Sequence, residues 1–353
     1  MKKRVSLMLI VSLLVIVSLV VPATGAQEAK TGLTVGVEVP TLANPFWVNY
    51  IGFMEQVAAE LGIELKIVDV QNREDKQISD LESLITSGVD GLVVVPQTAE
   101  VGPKLLKMAE DAGIPIVIPD RWPGVEPGDP AYTQYVAFIG PNDVKAGYDI
   151  CSALVDAGAD KLVAVSGFHG ASVHEGRSEG MRQCVEEKGI ELLAEEWVGE
   201  TRDKGMAVTE NYLSRFPGPG FNGVWHLNDD TAMGTIQALE EEGVLDKVKV
   251  GGMDLNPDAV KALKEGKYAY STGGHWLQGG FGLLMLYDWI NGVEPTERVV
   301  RLDLMGVTPE TVDKFEEMYI TNPPQYDIKS MSRFHNPDAK TYFEISLSEE
   351  ATQ

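Results

Sequence analysis

This chain of 353 residues is poor in basic side chains, histidine and cysteine. Its 29 lysines and arginines face 53 acidic residues, giving a formal net charge of −24 at pH 7. Nucleic acid needs a basic face to bind, and a phosphate-rich membrane surface needs the same, so neither is an expected partner. Acidity of this kind serves solubility. The five histidines are too scattered to suggest a metal site. A phosphate loop of the Gly-x-x-x-x-Gly-Lys-Ser/Thr type, a His-Glu-x-x-His metal motif and a Gly-x-Ser-x-Gly elbow are all missing. His174-Glu175 continues as Gly176-Arg177-Ser178 and lacks the second histidine. Gly279-Gly280-Phe281-Gly282 has no predicted strand before it and makes a poor dinucleotide loop. No enzyme, cofactor or metal is therefore expected. The two cysteines, Cys151 and Cys184, each sit in a helical pattern. In an oxidising compartment they allow one disulfide, and two buried free thiols fit the sequence equally.

Only one long apolar run is present, and it opens the chain. Lys2, Lys3 and Arg4 precede a stretch from Val5 to Val21 that is broken only by Ser6, Ser12 and Ser18. Pro22 ends it, and Ala23-Thr24-Gly25-Ala26 offers small residues for cleavage. This is the layout of a secretory signal peptide, with a membrane anchor as the competing interpretation. No cysteine lies near the cleavage site, so lipid modification there is not expected. Cleavage after Ala26 would remove three positive charges, and −24 minus 3 leaves −27. A periplasmic, exported protein is the expectation.

The rest of the chain alternates between two periodicities. Residues 33–39 are β-rich, and Trp47, Ile51, Met54, Ala58 and Leu61 then recur on one helix face. Further strands are predicted at 63–70, 91–95, 114–118 and 135–139, with helices at 77–87 and 101–112 between them. The pattern restarts with helix 144–157, strand 161–165, helix 175–188 and strand 190–197. Helix 205–216, strand 223–227, helix 231–242 and strand 248–252 follow. Such alternation implies parallel sheets covered on both faces. Two blocks imply two similar doubly wound α/β lobes.

In open parallel sheets, ligands bind beyond the carboxyl ends of the strands. Those positions here carry Asn44, Phe46 and Trp47, then Asp120 and Arg121, then Arg177, Asn228 and Asp254. Any one of them could be a helix cap or turn residue, Asn228 and Asp254 above all, and Trp47 could be core. Their joint occurrence at five strand ends favours a site. Two aspartates and two arginines cancel in charge while offering many hydrogen bonds, which suits a neutral polyol. Phe46 and Trp47 supply flat faces for a sugar ring.

Five motifs then carry a resemblance: Asn44-Pro45-Phe46-Trp47, Pro119-Asp120-Arg121, Arg177-Ser178-Glu179-Gly180, Asn228-Asp229 and Gly252-Met253-Asp254. In this order and spacing the chain resembles, from about Leu33 to Leu304, the periplasmic binding proteins typified by ribose-binding protein. That fold is shared by the ligand domains of lactose-repressor-like regulators. The resemblance implies two lobes joined by three crossings, near Gly140, His275 and Arg301, with the ligand cleft between them. One lobe would hold residues 27–140 plus 275–300 and the other 141–274 plus 301–304. Residues 305–353 form an extension with no assigned role. The implied function is a monomeric sugar-binding component that hands its ligand to the membrane permease of an ABC importer. A ligand sensor that signals to a membrane receptor is the alternative. Two places depart from the family pattern: the usual aromatic of the second lobe falls near Glu200, and a usual glutamine falls near Gly274, beside His275 and Trp276.

The first testable expectation is export. Protein recovered from the periplasm should lack residues 1–26 by intact-mass measurement, and a retained Met1 with the chain held in the membrane would overturn the assignment.

Overall fold

A computed structural model describes residues 28–218 and 220–348, and the leader assigned to residues 1–26 lies outside them. The first sheet collects β1 (Thr34–Val39), β2 (Glu64–Asp69), β3 (Gly91–Val94), β4 (Ile116–Pro119) and β5 (Tyr135–Pro141). Its order is β11-β5-β4-β3-β1-β2, and β11 (Val299–Leu302) joins it from late in the chain. The second sheet holds β6 (Lys161–Ser166), β7 (Glu191–Trp197), β8 (Gly223–His226), β9 (Lys249–Met253) and β10 (Tyr270–Gly273). Its order is β12-β10-β9-β8-β6-β7, and only β12 (Met305–Val307) runs antiparallel. The expected pair of α/β lobes is present.

Strand residues alternate between two buried faces. Val35, Val37 and Val39 of β1 pack with α1 (Pro45–Leu61) and α9 (Gln278–Ile290), while Leu92 and Val94 of β3 face α2 (Glu74–Thr86) and α3 (Gly102–Ala112). In the second lobe Leu162 and Ala164 pack on α4 (Asp143–Asp156) and α5 (Ser172–Lys188). Val163, Val165, Val224 and Val250 face the side of α6 (Arg202–Arg215), α7 (Asp229–Glu241) and α8 (Pro257–Lys264). Cys151 of α4 and Cys184 of α5 form a disulfide with a Cα–Cα distance of 6.2 Å. This closes the choice left open by the sequence.

Several differences from expectation have simple causes. A strand, β10, does precede the Gly279–Gly282 run. Those glycines nonetheless form part of α9, where they admit neighbouring rings: a Cβ on Gly279 would lie 2.4 Å from the Tyr50 ring. The α9 segment is apolar on all sides because both a sheet and α1 cover it, so it shows no helical stripe. The chain passes between sheets after β5, after β10, and between β11 and β12. The third passage falls at Asp303 and Leu304, later than Arg301, because Arg301 pairs with Gly140 in the first sheet. The segment expected to be an extension therefore begins as a strand of the second sheet. Among the described residues no helix is long and apolar enough to cross a membrane.

One core group is unusual. Glu38 of β1 is fully buried with neither carboxylate oxygen hydrogen-bonded, and burial pushes its pKa up to about 8. A carboxyl raised above its unfolded value stabilises the fold at low pH and loses that contribution as pH climbs from about 4.5 to about 8. Glu38→Gln should therefore raise the unfolding free energy at pH 8.5 by on the order of a few kcal/mol, and far less at pH 5. Equal effects at the two pH values, followed by circular dichroism, would refute this.

Candidate ligand-binding site

The carboxyl ends of the two sheets face each other, and a cavity lies between them. Asn44, Phe46, Trp47, Asp120 and Arg121 line it from the first lobe, and Arg177, Asn228 and Asp254 from the second. All eight residues singled out in the sequence are thus brought together. Val173, His174, Glu200, Leu227 and His275 complete the lining. The space is tight: about 20 Å3 is open to the centre of a water-sized sphere, room for about one water. A groove of about 600 Å3 between β7 and α6, lined by Trp197, Lys204, Tyr212 and Arg215, is larger but belongs to one lobe alone.

Local rules place each residue. Asn44 caps α1, its side-chain oxygen accepting from the Phe46 amide at 2.9 Å, and Pro45 fits the first turn. Phe46 and Trp47 follow at once. Phe46 stacks on the His275 ring at 4.3 Å, and Trp47 sits edge-on to Phe46 and Tyr50 at 4.9 and 5.2 Å. Trp47 is both core and lining. Asn228 likewise serves twice: Oδ1 accepts from the Thr231 amide at 3.0 Å to cap α7, and Nδ2 donates to the Glu200 carbonyl at 3.1 Å. Asp254 is no cap, because Asn256 holds that position for α8. Asp120 and Asp254 directly follow β4 and β9 with φ of 64° and 124°, a backbone that few residues other than glycine accept.

The charges are arranged in pairs. Arg121 lies 3.8 Å from the Asp120 carboxylate, too far for a hydrogen bond. Its Nη2 instead donates across the cleft to Glu200 Oε1 at 3.0 Å, and its Nη1 to the Gln97 carbonyl at 3.2 Å. The Nε is buried without a partner. Arg177 donates Nε to Asp143 Oδ1 at 2.9 Å and Nη1 to the Leu227 carbonyl at 3.0 Å. Asp120 accepts from Gln278 Nε2 at 2.6 Å. Among the described residues none hydrogen-bonds the Asp254 carboxylate, and His275 Nε2 stands 3.6 Å away.

Titration follows this pairing. Burial alone would raise Glu200, but Arg121 and His174 hold it down to about 2. Burial keeps His174 and His275 below the usual histidine range, the latter at about 3. Burial pushes Asp254 well above the carboxylate range despite Arg177, and brings Asp143 to about 7. The lining therefore holds three carboxylates, Asp120, Glu200 and Asp254, against two guanidiniums, Arg121 and Arg177. The expected balance of two against two omitted Glu200, and it returns when Asp254 takes its neutral form.

Two of the additional lining residues were foreshadowed, since Glu200 and His275 stand at or beside the departures noted above. His174 was missed, although it precedes Arg177 by three residues on α5 and so shares its face. Trp276 is turned away, edge-on to Phe315 at 6.5 Å.

Residues 35–292 match the model of the periplasmic binding protein domain. The chain belongs to that family. The ribose import binding protein of Bacillus subtilis is 31% identical over 275 residues, covering 76% of this chain and 86% of the relative. An ABC-transporter solute-binding protein of Bacillus halodurans, solved with myo-inositol, is 29% identical. It superposes with a TM-score of 0.73 over 82% of this chain and 99% of its own. A galactofuranose-binding protein superposes with a TM-score of 0.74 at 26% identity, over 81% and 97%. The family consists of binding proteins, not enzymes.

A binding protein of this kind should be more stable without its unpartnered acid. Asp254→Asn tolerates positive φ and removes a buried carboxylate, so it should stabilise the ligand-free protein by roughly 0.5–2 kcal/mol. A raised carboxyl loses its stabilising contribution as pH rises, so the gain should be larger at pH 8 than at pH 5. A thermal midpoint that falls at both pH values would overturn this account of Asp254.

Proposed function

We propose that this protein is the extracytoplasmic receptor of an ABC importer and binds a small neutral polyhydroxylated ligand, a monosaccharide or cyclitol, between its lobes. The observation that carries the proposal is the pair of carboxyl groups of Asp120 and Asp254, presented to one cavity by strand ends of opposite lobes. Arg121 and Arg177 are already neutralised by Glu200 and Asp143. The acceptors left over suit hydroxyl donors, and the Phe46 and Trp47 rings suit the C–H face of a ring. The named relatives bind ribose, galactofuranose or myo-inositol. The Cys151–Cys184 disulfide fits an oxidising compartment.

Binding follows from geometry. The Arg121–Glu200 contact spans the cleft, so the arrangement is a closed one. Opening about the three passages admits the ligand. Contacts from both lobes exist only when they close again, and the ligand shifts the population by its differential affinity for that form. A membrane permease then receives the closed form.

Thermal-shift screening of monosaccharides and cyclitols finds the ligand, because binding to the folded state alone raises the midpoint. Calorimetric titration of Asp120→Asn then tests the site. Hydrogen bonds to a charged group contribute about 1.5–3 kcal/mol, so affinity should fall at least about tenfold. Wild-type affinity in the folded variant would remove Asp120 from the site.

A further inference from the structure

The family match ends at residue 292, yet an ordered segment continues well past it. It begins in the second lobe, where β12 pairs with β10. The short helix α10 (Val312–Phe315) buries Val312 and Phe315 beside α8. Lys264 of α8 holds Glu316 at 2.5 Å and Asp313 at 3.5 Å. Residues 321–323 are exposed, and beyond them the chain lies on the first lobe. Tyr326 packs edge-on to Phe53 of α1 at 5.4 Å. The buried Asp288 of α9 accepts from Ser332 Oγ at 2.6 Å, Arg333 N at 2.8 Å and Phe334 N at 3.1 Å. Phe343 adds an edge contact to Phe281 at 5.1 Å.

The segment then returns to the passages between lobes. Glu344 Oε1 accepts from the Asp303 amide at 2.9 Å, at the third passage. Ile345 covers Gly274 at the second passage, where φ is 118° and an added Cβ would lie 2.7 Å from Ile345 Cγ1. Tyr319 Oη donates to the Ser346 carbonyl at 2.7 Å, fastening the end of the segment to its beginning.

We infer that residues 308–348 are a strap across the hinge that limits how far the lobes part. Opening requires backbone rotation at Gly274 and Asp303, and the strap presses on both. It is also a fourth covalent path between lobes, anchored on each. The exposed Lys264 pairs hold weakly, whereas the threefold acceptance at Asp288 and the Phe53, Phe281, Tyr326 and Phe343 cluster hold firmly. Wide opening must break one anchor. A narrower ligand-free opening leaves less motion to recover when the lobes close around the ligand, which strengthens apparent affinity.

The test cuts the strap in the intact folded protein. A site-specific protease sequence is inserted between Pro323 and Pro324 of the otherwise full mature chain, and small-angle scattering is recorded without ligand before and after cleavage. Cleavage should increase the radius of gyration. It should also weaken binding of the monosaccharide or cyclitol found by thermal shift by roughly three- to tenfold. Identical scattering curves from cut and uncut folded protein overturn the strap. The scattering arm needs no ligand, so its failure is distinct from failure to bind a sugar. Should the cut chain unfold, the double variant Glu344→Ala, Ile345→Ala decides in its place: a larger ligand-free radius supports the strap, and an unchanged one overturns it.

Discussion

A parallel sheet covered by helices on both faces has nowhere to place a polar side chain except at the ends of its strands. Within β1, β3, β6 and β8 most residues are buried and apolar. The cost of leaving a polar group unpaired there is visible at Glu38, whose carboxylate is held largely protonated. At the strand ends the same chemistry becomes tolerable, because helix amino termini, backbone amides and opposite charges are close at hand. Two such sheets set with their carboxyl ends facing bring their polar ends together, and the cavity is the result.

Within that cavity the charges are graded by what answers them. Arg121 and Glu200 answer each other across the cleft, and Arg177 answers Asp143 within the second lobe. The Asp120 carboxylate accepts from the Gln278 amide with Arg121 no nearer than 3.8 Å, and among the described residues none hydrogen-bonds the Asp254 carboxylate. The groups that are settled fix the shape of the closed cleft, and the groups left wanting are those that an incoming hydroxyl can satisfy. Desolvation keeps both histidines neutral, so they add hydrogen-bonding capacity without altering the charge.

Much of this was legible in the sequence because it is local. The period of Trp47, Ile51, Met54 and Ala58 marks α1 directly, and a polar residue just after a β-rich run marks a strand end. What escaped depends on contacts distant in the chain. Helix α9 carries no stripe because its surroundings are apolar on every side. Strands β10 to β12 are three or four residues long and owe their state to partners far away. The role of Asp288 becomes visible only when residues 332–334 fold back on it. The cysteine pairing needed α4 and α5 to be placed side by side. Glu200 was conspicuous as a departure, but its bond to Arg121 could not be read from spacing.

The positive φ at Asp120 and Asp254 has a bearing on descent as well as on binding. The φ of 64° at Asp120 lies in the left-handed region that glycine, asparagine and aspartate occupy most readily, and the φ of 124° at Asp254 lies beyond it, nearer glycine's own range; of these residues only aspartate brings a carboxyl group. These two positions of the cavity lining therefore have few neighbouring alternatives in sequence space. A lineage changing its ligand would find freedom elsewhere around the rim, at His174, Glu200 and His275, where the backbone makes no comparable demand. Diversity of diet in proteins built this way should thus be written in the residues beside the two aspartates, while the aspartates themselves stay as the scaffold's fixed vocabulary.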